Sequence, residues 1–228
     1  SPHNSYGKKK TIEKIPGIRP EGLRGSGMYY DGIVDDAKLG LECIYDGLNN
    51  KDCHALNYKK VIQYEKKNQE HLITFQDTLN PKLIQKARCK DIVFATGPFT
   101  DQVMKELRID WSPVILPSKG THLWLKPESL PIKDAMVLQT KDKRIIFVIP
   151  QRESILVGTT EIPLKDNESF FDIKPDESEI QYLLDCVNEY FPKENVTHEH
   201  IQSSFAAVRP LVKSSKSSKK TSRNHEIY

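Results

Sequence analysis

Apolar and polar positions along the chain follow two periods. Asp35-Asp36 opens a helical pattern in which Leu39, Cys43, Ile44, Gly47 and Leu48 share one face, and Asn49-Asn50 closes it. Short strand-like runs follow at even spacing: Ala55 to Tyr58, Val61 to Tyr64, Leu72 to Phe75 and Leu83 to Arg88. They predict an antiparallel meander. The run Asp91 to Phe99 is apolar without alternation and passes through Thr96-Gly97. It predicts a strand covered on both faces, as in a parallel sheet, with a helix after it from Thr100 to Leu107. Val114-Ile115-Leu116 and Leu123-Trp124-Leu125 flank a polar stretch, so a strand is expected to break at Pro117 and resume after His122. Ala135 to Gln139 reads as a further strand. Arg144 to Pro150 and Ser154 to Thr160 read as a hairpin whose nearly all-apolar arms predict cover on both faces. Asp176, with Glu179 three positions on, marks a helix start. Ile180, Leu183, Leu184, Val187 and Phe191 form its buried stripe, and Pro192 follows its end. A last strand runs from His200 to Leu211 and carries Arg209 between Val208 and Pro210.

The ends and one early stretch show neither period. Residues 1–21 are polar, with Lys8-Lys9-Lys10, Pro16 and Pro20, and read as a surface loop. Gly22 to Gly32 combines glycines with Tyr29 and Tyr30, as a turn does or a backbone packed on something flat. No apolar strand precedes it, so it is not a dinucleotide-binding fingerprint. Lys213 to Arg223 is rich in Ser and Lys and is expected to be mobile.

Composition narrows the class. The 228 residues are 37% hydrophobic and 29% charged, a globular mixture. No apolar run approaches the roughly 20 residues of a spanning helix. The net charge is +3, but Lys213 to Arg223 holds five cations and no acid, which leaves −2 on the rest. The basicity is local and does not indicate a nucleic-acid-binding body. Cys43, Cys53, Cys89 and Cys186 have no C-x-x-C spacing and read as reduced structural thiols. Ser1-Pro2-His3-Asn4 has neither an initiator Met nor the features of a signal or transit peptide, so the sequence predicts an internal piece of a longer chain.

The densest chemistry lies in Pro117-Ser118-Lys119-Gly120-Thr121-His122. It sets a cation, two hydroxyls and an imidazole around a Gly that lets backbone approach a ligand. A polar hairpin corner is the plainer alternative. Arg209 in an apolar run needs a partner, since an unpaired guanidinium there is costly. That partner is either a ligand anion or a buried acid.

Several motifs stand in a telling order. Met28-Tyr29-Tyr30-Asp31-Gly32 and Asp35-Asp36-Ala37 come first, then Ala95-Thr96-Gly97-Pro98-Phe99-Thr100-Asp101 and the Pro117-to-His122 stretch. Arg144 to Pro150, Gly158-Thr159-Thr160, Val208-Arg209-Pro210-Leu211 and Ser222-Arg223-Asn224-His225 complete the series. From about residue 22 to the end, this order resembles the FAD-dependent glycerol-3-phosphate dehydrogenases and the related glycerophosphate oxidases. Phe99 and Ser222-to-His225 are closest to the mitochondrial branch. Glu161, where the family usually has Asp, and Ala207, where it has Gly, depart from the pattern.

The resemblance implies hydride transfer from C2 of glycerol 3-phosphate to FAD, giving dihydroxyacetone phosphate, with electrons passed to quinone. It implies His122 as the base, a packed core histidine being the bland alternative. Arg209 is implied as the phosphate clamp, with Arg223 second. Thr159 is implied as a substrate hydrogen-bonder or a strand-end bond, and Arg144 as charge near the flavin or a flank of the hairpin. Ser118, Lys119 and Gly120 would face the flavin ring, and Thr96 and Gly97 the FAD pyrophosphate or ribose. The implied fold is α/β (α+β): part of an FAD-binding Rossmann-like domain plus a mixed β-sheet substrate domain of the amino-acid-oxidase-like type. Residues 22–110 would supply the first, with the meander inserted, and 111–212 the second. Residues 213–228 would lead back to the active site. The implied partners are glycerol 3-phosphate, quinone, a membrane held peripherally and a second copy in a homodimer. The membrane would be the mitochondrial inner membrane in a eukaryote, or the plasma membrane's cytoplasmic face in a bacterium. An oxidase using O₂, an amine or amino-acid oxidase, and a non-catalytic remnant remain as alternatives.

Overall fold

The computed structural model describes residues 3–164 and 168–213, which form two compact units. One unit comprises residues 30–113. Its helix α2, Asp36–Leu48, starts as expected, with Asp35 Oδ1 accepting from the Lys38 N–H at 3.0 Å. None of its residues is buried. The meander forms from β3 (Lys59–Lys67), β4 (Glu70–Asp77) and β5 (Ile84–Cys89), all antiparallel. Asn68 makes the first turn at φ 56°, a conformation that Asn tolerates. Two expectations fail here. Ala55 to Tyr58 is not a strand, and residues 91–96 form none either, with Val93 at 87% exposure. A buried strand needs a paired neighbour on each side, and no described residue pairs with this run. A 3₁₀ turn, Gly97–Phe99, and helix α3, Thr100–Glu106, follow it. Trp111 Nε1 donates to Asp101 Oδ1 at 2.8 Å.

The other unit joins the N-terminal residues up to Tyr29 to residues from Val114 on. The surface loop expected over residues 1–21 is therefore replaced by a strand and a helix over residues 3–14. Strand β1, His3–Gly7, pairs antiparallel with β2, Gly25–Tyr29, and helix α1, Lys8–Lys14, lies between them in sequence. Thr11 is fully buried, with its hydroxyl donating to the Gly7 carbonyl at 3.1 Å. That bond and the strand pairing are invisible to a polarity pattern.

Among the described residues, the sheet that positions the site has six strands, and all its pairings are antiparallel. They are β6 (Ile115–Leu125), β7 (Met136–Gln139), β8 (Ile145–Gln151), β9 (Ser154–Gly158), β10 (Ile162–Pro163) and β11 (Ile201–Val212). Strand β11 runs along one edge of β6; β10 and then β9 take the other. Strand β6 does not break at Pro117. Pro117 lies opposite Pro210 in β11, and its carbonyl accepts from the Leu164 N–H at 3.0 Å on the far side. The amide hydrogens that both prolines lack therefore point away from the β6–β11 ladder, and the strand continues.

Helix α4, Glu177–Tyr190, covers one face of this sheet. Its start is the expected one, with the Asp176 N–H donating to Glu179 Oε2 at 2.9 Å. Leu183, Leu184, Val187 and Phe191 pack with Leu123, Leu125, Leu138, Ile146, Val148, Ile155 and Val157. Each such side chain contributes about 1.5–3 kcal/mol by leaving water. The expectation that both faces of the hairpin are covered is not met among the described residues, since Ile145 and Phe147 are exposed.

Candidate active site

Side chains alternate across β6, so Ser118, Gly120, His122 and Trp124 share one face, while Lys119, Thr121, Leu123 and Leu125 share the face toward α4. Antiparallel partners keep to the same face. Arg209 lies opposite Ser118 and Phe205 opposite His122, while on the other edge Gly158 lies opposite His122 and is itself opposite Phe147. The face away from α4 thus gathers His122, Arg209 and the glycines at 120 and 158.

His122 is held between an aromatic ring and bare backbone. Its imidazole stacks on Phe205 with centroids 5.0 Å apart and planes within 7°. On its other side a Cβ at position 158 would come within 2.2 Å of Cδ2, so only Gly fits there without a shift. His122 Nδ1 is buried and has no hydrogen-bond partner among the described residues. Burial, and after it the charge of Arg209, push the His122 pKa down to about 4. The ring is therefore neutral at neutral pH and able to accept a proton.

Arg209 lies in a cluster with residues 159–161. Its Nη2 donates to Thr159 Oγ1 at 2.6 Å, its Nη1 to the Thr160 carbonyl at 3.5 Å, and Glu161 Oε2 lies 3.7 Å from Nη1. Gly120 makes room for this head group, since a Cβ there would stand 2.9 Å from Nη2 and 2.7 Å from Thr159 Oγ1. The guanidinium is part-buried, and among the described residues Glu161 approaches it at the edge of ion-pair range.

The other expected residues are placed unevenly. Thr159 sits in the cluster and also donates to the Thr160 carbonyl at 3.0 Å. Arg144 touches the same loop through the Glu161 carbonyl at 3.0 Å and pairs with Asp142 Oδ2 at 3.0 Å. It lines a cavity of about 280 Å³ with Asp142, Thr160, Glu179 and Tyr182. Ser118 shares the site face but is buried, with its hydroxyl directed at the Ile162 carbonyl, 3.3 Å away. Lys119 does not join Ser118 and Gly120, because the unbroken strand turns it to the α4 face. There Nζ meets Asp176 at 2.6 Å and Glu179 at 2.8 Å. Thr96 and Gly97 belong to the other unit, where Gly97 has φ 54° and the Thr96 and Thr100 hydroxyls lie 3.1 Å apart. Arg223 and most of Lys213 to Arg223 lie outside the described residues.

Phe205, Gly158, Thr160 and Glu179 are not expected from the sequence as parts of the site. A Gly ending an apolar strand is a signal of close approach. Phe205 has no such signal, because only the β6–β11 register sets it against His122.

The chain matches the family described as FAD dependent oxidoreductase over residues 4–223. It is similar to the aerobic glycerol-3-phosphate dehydrogenase of Staphylococcus haemolyticus (strain JCSC1435), at 32% identity over 225 residues, covering 97% of this chain and 40% of that one. The protein of the same name from Bacillus subtilis (strain 168) is 32% identical over 223 residues, 96% of this chain and 39% of its own. Among solved structures, the glycerol-3-phosphate dehydrogenase from Bacillus halodurans, complexed with FAD, matches with a TM-score of 0.84 at 28% identity. That match covers 92% of this chain and 42% of that one. The chain spans about two fifths of the length of these relatives.

Proposed function

The chain belongs to the FAD-dependent oxidoreductase family, and on that premise we propose that it serves a glycerol-3-phosphate dehydrogenase, oxidising sn-glycerol 3-phosphate to dihydroxyacetone phosphate. The observation that carries this reading is the neutral imidazole of His122 beside the Arg209 guanidinium on one sheet face. The substrate offers a C2 hydroxyl that must lose its proton and a phosphate that must be held. Arg209 presents a planar fork suited to phosphate oxygens. His122 Nδ1 is walled off, which leaves Nε2 to take the hydroxyl proton. The neighbouring cation and the phosphate dianion partly cancel, so substrate binding makes His122 the stronger base.

The residues present fit FAD. Ile145, Phe147 and Phe205 leave apolar surface exposed on the site face, as a flat ring system requires. Gly120, on the same face, would lie toward the ring. When bound, the flavin supplies the acceptor for the hydride leaving C2. Transfer of electrons to quinone, peripheral attachment to a membrane and a homodimer belong to the same proposal, supported by the resemblance of the chain to the aerobic enzymes.

Kinetics of the full-length enzyme test the assignment. Arg209→Ala is expected to raise KM for glycerol 3-phosphate by about ten- to several-hundred-fold, the loss of one or two charged hydrogen bonds. Arg209→Lys should fall between it and wild type. His122→Asn should lower kcat by roughly 10²–10⁴. Equal damage to glycerol and glycerol 3-phosphate in Arg209→Ala would remove Arg209 from the phosphate. Release of stoichiometric hydrogen peroxide, with no reduction of a soluble quinone, would replace quinone by O₂.

A further inference from the structure

Behind the Arg209 cluster, on the α4 side of the sheet, one carboxylate gathers donors from three parts of the chain. Glu179 is 2% exposed. Its Oε1 accepts from the Thr121 hydroxyl at 2.9 Å and from the Thr160 hydroxyl at 2.8 Å. Its Oε2 accepts from Lys119 Nζ at 2.8 Å and from the Asp176 N–H at 2.9 Å. The Thr160 hydroxyl is held from a second side as well, because it also accepts from the Thr121 N–H at 2.9 Å. With both its bonds fixed, the Thr160 side chain is held in one orientation.

Thr160 is where this network meets the site. Its carbonyl receives both the Arg209 Nη1 donor and the Thr159 hydroxyl, and Thr159 Oγ1 receives Arg209 Nη2. The loop after β9 is thus anchored on one face by Glu179 and grips the guanidinium on the other. We infer that Glu179 is a positioning residue, which acts through Thr160 to aim Arg209 at the substrate anion. Glu179 touches neither Arg209 nor the site face. The inference rests on the reading of Arg209 as the anion clamp given above. The first turn of α4 becomes part of substrate recognition, although its side chains lie behind the sheet.

A double-mutant cycle in the full-length flavoenzyme tests this. Thr160→Val keeps the shape and removes the hydroxyl. It is expected to raise KM for glycerol 3-phosphate by roughly two- to tenfold, the size of one lost hydrogen bond, with a smaller change for glycerol. Thr160→Ser restores the hydroxyl and should restore KM. In an Arg209→Met background, Thr160→Val should add almost nothing to KM, because the group it aims is gone. Glu179→Gln should follow Thr160→Val; if that variant does not fold, the Thr160 pair carries the test alone. If Arg209→Met raises KM and Thr160→Val multiplies that rise in full, the network is structural only and the positioning role falls. If Arg209→Met leaves KM unchanged, the anion clamp falls and this inference falls with it.

Discussion

His122 owes its properties to two neighbours that offer it no hydrogen bond. Phe205 covers one side of the ring and the backbone of Gly158 the other, so the imidazole is desolvated, and among the described residues no acid stabilises its charged form. An NMR titration should find its midpoint near the value of about 4. Arg209→Met should raise that midpoint by removing a nearby cation, yet leave it below the usual 6.5, because burial is the larger cause. The consequence for stability has a definite sign. Between pH 6.5 and about 4 the unfolded chain binds a proton at His122 that the folded chain refuses, so stability falls as pH falls through that window. An unchanged midpoint in Arg209→Met would separate the two side chains electrically.

At the scale of elements, β6 and α4 are joined by the Lys119–Glu179 pair. Burial alone would lower the Lys119 pKa, but the hydrogen bonds and charges of Asp176 and Glu179 outweigh it and raise it. Burial alone would raise the Glu179 pKa, but Lys119, the Asp176 N–H and the two threonine hydroxyls outweigh it and lower it. The contribution of Glu179 is therefore present above the ordinary carboxylate range and is lost as pH falls through its folded value. That of Lys119 is full below its ordinary value and is lost as pH rises through the folded one. Lys119→Met leaves a buried carboxylate uncompensated and is expected to cost about 3–5 kcal/mol in chemical denaturation. Breaking the exposed Lys10–Glu13 pair should cost far less by the same measurement, because water screens it. Equal costs would make the buried pair ordinary. Helix α4 was legible in the sequence because its signals are local: an acidic cap, a stripe at helical spacing and a terminal Pro192. Strand β6 was not, because its passage through Pro117 depends on Pro210, 93 positions later in the chain and opposite it in the sheet. Once that strand is continuous, alternation alone sends Lys119 away from Gly120.

In the molecule as a whole, burial is unevenly shared. The unit containing β6 holds the hydrophobic core, whereas α2 in the other unit buries nothing and exposes Leu39, Ile44, Tyr45 and Leu48. An amphipathic helix with a bare apolar face attracts apolar partners. The 228-residue chain alone should therefore bind an apolar fluorescent dye, and Ile44→Lys with Leu48→Lys should remove much of that signal. A signal unchanged by these substitutions would place the dye elsewhere, with the exposed site face of the sheet the next candidate. Motif order along the chain was enough to indicate the family. The contacts of the site were less legible, because His122 meets Phe205 and Gly158 only through registers that no local pattern encodes. The alternation along β6 also limits which inherited changes the protein can accept. A substitution alters one side chain, but loss or gain of a single codon between 119 and 122 would slip the register on one side of it and exchange the two faces there. Either the ammonium of Lys119 would then enter the site, or the imidazole of His122 would enter the core. This strand can diverge in spelling while its length stays frozen.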